Sequence, residues 1–135
     1  MQKIKMWLLF EVQASDKELT LKAMNKHLHN LMNEKGVKVE EVKIEDKVDE
    51  VDAPPNIQEK GIKNLYSCFG EAVIEVNGLG EAVRIITNYA PSSIEVLSPE
   101  RYELELKDMQ ELLINISDFV HKMFSQGMGG IVIRM

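Results

Sequence analysis

Residues 71–100, EAVIEVNGLGEAVRIITNYAPSSIEVLSPE, change their hydrophobic period twice. Ala72, Ile74 and Val76 follow the period of two of a strand with one buried face, until Asn77, Gly78 and Gly80 break it. Ala82, Val83, Ile86 and Ala90 then recur at helical spacing, with Ile85 and Tyr89 widening the stripe. Pro91 ends this helix, because it lacks a backbone N–H and turns the residue before it away from the helical region. Ile94, Val96 and Leu97 resume a β-rich run that Pro99 closes. Strand, helix and strand in this order predict two parallel strands joined by a right-handed crossover.

Upstream, residues 3–12 are apolar on both parities, with Met6, Leu8, Phe10 and Val12 on one and Trp7 and Leu9 on the other. A strand covered on both faces reads this way, which places it centrally in a sheet. Ser15 with Glu18 three residues on has the form of a capping box. The helix it opens, over residues 16–35, carries the stripe Leu21, Met24, Leu28, Leu31 and Met32, with Gly36 placed for a left-handed cap. Val37 and Val39 start a second strand, but Val42 and Ile44 have the opposite parity, so a β-bulge near Glu40 and Glu41 must absorb one residue. The charged run 45–52 reads as a solvated edge strand, and Ala53, Pro54, Pro55 and Asn56 as a loop. A strand over 65–76 leads into the unit described first. Beyond Pro99 an extended stretch, 101–106, precedes a long helix with the stripe Met109, Leu112, Leu113, Ile116, Val120, Met123 and Phe124, stopped by Gly127. The tail, 127–135, is glycine-rich and then apolar at Ile131, Val132 and Ile133.

The order β, α, β, β, α, β is that of the split βαβ pattern. It predicts an α+β fold, a ferredoxin-like βαββαβ sandwich with a C-terminal helix. The 135 residues form one domain, with its core at 3–98, a helical extension at 106–126 and the tail at 127–135. Both crossover helices then share one sheet face. Trp7, Leu9, Val73 and Leu97 have the parity of the other face and make it too apolar to stay wet. They are the expected interface, covered in part by the last helix and in part by a second subunit.

Composition narrows the function without naming it. A net charge of −6 opposes tight contact with nucleic acid or an anionic membrane. A single cysteine, Cys68, leaves no internal disulfide and suits a reducing cytoplasm, and no apolar run approaches the ~20 residues of a membrane span. His27 and His29 lie on different sides of their helix and cannot grip one metal, His121 is isolated, and Cys68 has no neighbouring base. The acidic pairs of residues 40–52 lack the spacing of a calcium loop. No catalytic residue, metal site or cofactor is expected. The turn before the second crossover helix, with Asn77, Gly78 and Gly80, is the first place to look for a small ligand, since free N–H groups at a helix start can hold an anion. Ser15, in the loop after the first strand, is the companion candidate.

Three resemblances bear on activity. Acylphosphatases carry a glycine-rich, arginine-containing loop after the first strand; residues 12–16 here, VQASD, have no arginine. Residues 68–73, CFGEAV, resemble the third-strand signature of the RNA-recognition motif only at Phe69 and Gly70, and Glu71 and Ala72 stand where stacking rings belong. Residues 72–100, ending in IEVLSPE, resemble the C-terminal module of WYL-type bacterial transcription regulators, which implies a ligand-sensing or oligomerising role. The whole chain resembles an uncharacterised ferredoxin-like family, a likeness that implies no activity. The expected function is a non-enzymatic, oligomerising module for a small ligand or protein partner, in the manner of ACT-like regulatory domains. The alternative is a small enzyme with a pocket built from the loops at Ser15 and Asn77.

Overall fold

A computed structural model describes residues 2–45 and 47–125. Along the chain lie β1 (Ile4–Ala14), α1 (Lys17–Met32), β2 (Val37–Ile44), β3 (Asp49–Asp52), α2 (Pro55–Gln58), β4 (Asn64–Val76), α3 (Leu79–Tyr89), β5 (Ser93–Ser98) and α4 (Leu106–Ser125). The strands form one sheet in the order β2-β4-β1-β5, with β3 continuing the β2 edge of β4. Every neighbouring pair is antiparallel, so β4 and β5 run parallel with β1 between them. This is the ferredoxin-like topology, and β1, apolar on both parities, lies in the middle as expected. The tail with Ile131, Val132 and Ile133, the predicted helix end at Gln126 and Asp46 of the acidic run lie outside the described residues.

The core fills the space between the sheet and α1. Ile4, Met6, Leu8 and Phe10 of β1 meet Ala72, Ile74 and Val76 of β4 under Met24, Leu28 and Leu31 of α1, and Ala82 and Ile85 of α3 close the layer. The bulge inferred from the parity change in β2 is present: Val39 pairs with Ile74 and Glu41 with Val73, which leaves Glu40 as the extra residue. It returns Val42 and Ile44 to the helix-covered side, where both pack on the core. A left-handed Gly36, φ +83°, sits in the turn from α1 to β2.

Three local expectations change. The N-cap of α1 is Asp16 rather than Ser15; its carboxylate accepts from the Leu19 N–H at 2.8 Å, leaving Ser15 in the bend before it. Met32 is exposed, and Thr20 takes a core position because its hydroxyl donates to Asp16 O at 2.7 Å. Ala90 is not on the buried stripe of α3. It caps the helix in the left-handed region at φ 47°, as the Pro91 that follows disfavours the helical alternative.

Leu28 and Met32, both on the predicted stripe, therefore differ in their cost. Leu28→Ala should lower unfolding free energy by about 2–5 kcal/mol and Met32→Ala by less than about 1 kcal/mol, compared by urea denaturation of the two variants.

Candidate functional site

Strand register decides which candidate residues meet. Ile4 pairs with Val76 and Ala14 with Tyr66, so Asn77 leaves the sheet at one end of β1 and Ser15 at the other. Ten strand steps separate the ends, about 33 Å. A pocket built from both loops of one chain, the basis of the enzyme alternative, cannot form.

The turn at Asn77 is filled by the chain itself. Gly78 caps α3 at φ 118°, a conformation L side chains rarely adopt. The Leu79 N–H donates to the Tyr102 hydroxyl at 3.0 Å and the Asn77 N–H to the Glu81 carboxylate at 3.0 Å. Glu81 thus occupies, with its own negative charge, the place an anion would take. Gly80 is a contact glycine: a Cβ there would fall 2.6 Å from Glu111 Cγ, and Asn115 of α4 donates to the Gly80 carbonyl at 2.9 Å. The glycines read as a ligand cradle serve to bring α4 onto α3.

The outer sheet face is where Trp7, Leu9 and Val73 lie, all half-buried, with Leu97 exposed at a second bulge between the Lys5 and Met6 pairings. The last helix does not cover this face: α4 packs on α3, and no strand makes a comparable contact with it among the described residues. The face is also less uniformly apolar than its parity implied. Trp7 stands between Val73 and Glu95, and Leu9 between Glu71 and Ser93. Lys5 pairs with Glu40 at 2.8 Å and Lys3 with Glu75 at 3.5 Å around it. Half-exposed apolar residues interleaved with charges can stay wet.

The exposed apolar surface is elsewhere. Of fifteen large hydrophobic residues exposed among the described residues, twelve fall between Ile94 and Phe124. Ile94 and Val96 of β5 pair with Leu8 and Met6 and so point to the helix side, yet they are 45% and 59% exposed. The α1 and α3 layer stops short of this edge. In α4 no residue is buried. The side turned to α3 carries Glu111, Asn115 and Met123, and Asp108 and Leu112 are half-buried, while Leu106, Met109, Leu113, Ile116 and Val120 are exposed. Between α3 and α4 lies a groove of ≈ 500 Å³, with Phe119, Met123 and Ala90 beside Arg84, Asn88, Asp118 and Lys122. That volume suits a small molecule. A second hollow of ≈ 350 Å³, around Tyr102, Glu103, Glu105 and Asp108, is strongly acidic.

Titratable groups have structural work. His27 Nε2 lies 2.9 Å from Tyr89 O, and its ring packs edge-on between Phe10 and Tyr89, joining α1 to the end of α3. Cys68 is fully buried, and burial pushes its thiol up, away from the reactive thiolate. Sequence reading missed a clasp in which Arg84 Nη1 meets Glu34 Oε1 at 2.7 Å, Arg84 Nη2 donates to Lys35 O at 3.1 Å and the Tyr89 hydroxyl donates to Glu34 Oε2 at 2.6 Å. No local signal links Glu34 to partners fifty and fifty-five residues away. The Tyr89 hydroxyl, and then Arg84, hold the Glu34 carboxyl below its ordinary range. Burial, and then Glu34, push Tyr89 up to about 12. Among the described residues, no three His, Cys, Asp or Glu side chains are grouped to hold a metal ion, and no helix is long and apolar enough to cross a membrane.

Topology and surface together define a class: a ferredoxin-like α+β domain whose added C-terminal helix rides on the second crossover helix and leaves an apolar face open. The chain belongs to the MJ0538 family, whose model matches residues 5–134 and so takes in α4 along with the sheet. No curated protein matches the sequence.

The clasp sets two limbs of the stability profile. The Glu34 contribution is present above its ordinary value of 4.5 and is lost as pH falls through the lowered folded value. The Tyr89 contribution is present below 10.0 and is lost as pH rises from there to about 12. Urea midpoints measured against pH should show a flatter acid limb in Glu34→Gln and a flatter alkaline limb in Tyr89→Phe than in the wild type.

Proposed function

We propose that this chain is a non-enzymatic, self-associating α+β module of the cytoplasm that binds a small ligand or a protein partner. The observation that carries the reading is the concentration of exposed apolar side chains on β5 and α4. Monomeric proteins rarely leave contiguous apolar patches of more than a few hundred Å² in water, and larger ones mark interaction sites. Trp7, Leu9 and Val73 on the outer sheet face offer a second, weaker contact surface. The groove between α3 and α4 is the place for a ligand, in preference to the turn at Asn77, where Tyr102 and Glu81 already take two donors. The resemblance of residues 72–100 to the C-terminal module of WYL-type regulators fits a sensing or oligomerising role.

Light scattering coupled to gel filtration at micromolar concentration tests the reading. The expected mass is about twice that of one chain, and a clean monomer would sink it.

A further inference from the structure

Five exposed apolar residues of α4 and the half-buried Met123 follow a heptad. Leu106, Met109, Leu113, Ile116, Val120 and Met123 are spaced three, four, three, four and three apart, the a and d positions of a coiled-coil seam. Leu106 is 82% and Leu113 60% exposed, and Met123, at the end of the seam, is the one that reaches α3. The helix cannot roll to bury this seam on α3. Asn115 is bonded to the Gly80 carbonyl, and Glu111 lies close over Gly80 itself, so α4 is held with a largely polar line, Glu111, Asn115 and Lys122, toward α3. A seam of this spacing, with no charged residue on it, matches another helix of the same pattern.

The uncharged seam selects a like helix, and charge its direction. The start of α4 is net acidic, with Glu105, Asp108 and Glu111 against Lys107, whereas toward its end Asp118 is offset by Lys122. Two copies laid parallel would bring the acidic starts and the like ends of the helix dipoles together, whereas antiparallel copies oppose the dipoles and set each acidic start against the other's near-neutral end. Resting on the self-association reading, we propose that α4 pairs antiparallel with α4 of a second copy of this chain, about a two-fold axis through the seam near Leu113 and Ile116. Such a contact is isologous and closes at the dimer.

The test compares the wild-type chain with Leu113→Glu/Ile116→Glu by sedimentation, with circular dichroism to confirm that the exposed changes leave the fold intact. Burying two uncompensated carboxylates per subunit should raise the dimer dissociation constant by roughly 100-fold or more. A spin label at Lys107→Cys should read at least about 22 Å from its copy, the axial offset of residues fifteen steps apart in antiparallel helices. A wild-type dimer that survives the double substitution overturns this pairing and leaves self-association standing, with the exposed side of β5, tested by Val96→Glu, and the outer face, tested by Trp7→Glu, as its remaining surfaces. Labels with no axial offset overturn the antiparallel arrangement. A wild-type monomer overturns both readings, and if deleting residues 127–135 makes it dimerise, the seam belongs to the chain's own terminus.

Discussion

The ladder between β1 and β4 runs unbroken from the Ile4–Val76 pair to the Ala14–Tyr66 pair, and the rest of the molecule is arranged by it. Because side chains alternate across a strand, one register places Met6, Leu8 and Phe10 beside Ala72 and Ile74 on a single face, and a slip of one residue would send them all to the other side. α1 covers most of that face, with Met24, Leu28 and Leu31 fully buried on it, and Ala82 and Ile85 of α3 close the rest. The ladder also sets distances along the molecule. It carries the loop at Ser15 to one end and the turn at Asn77 to the other, so the two candidate ligand loops cannot share one ligand.

A second constraint acts at the far end of β4. Gly78 and Gly80 allow Tyr102, Glu111 and Asn115 to close on the start of α3, and this junction fixes both the position and the rotation of α4. The turn that sequence marks as the first place to look for a small ligand is thus joinery between two helices. The rotation they impose turns the polar Glu111 and Asn115 toward α3 and the continuous apolar line outward, which is the reverse of what an isolated monomer would favour. A helix held in that way makes physical sense when a further surface completes it.

Much of the fold was legible because its signals are local or periodic. The parity change between Val39 and Val42 foretold the bulge at Glu40, and two-sided apolarity foretold the central place of β1. The candidate site was less legible. The clasp of Glu34, Arg84 and Tyr89 joins residues with no sequence relation, and the buried Thr20 depends on a backbone acceptor at Asp16. The expectation that the last helix would shelter Trp7 and Val73 failed because hydrophobic pattern gives a helix an apolar side without saying which neighbour meets it.

Periodicity, turn chemistry and charge, all properties of adjacent residues, determined the order of strands and helices, the βαββαβ class and the stripe on α4. Which side of the molecule α4 lies on, which of its lines faces inward and which loops share an end are relations between distant residues, and only the tertiary structure decided them. They are set by contacts such as Asn115 with Gly80 and by the β1–β4 register, neither of which has a counterpart in any short stretch of the chain.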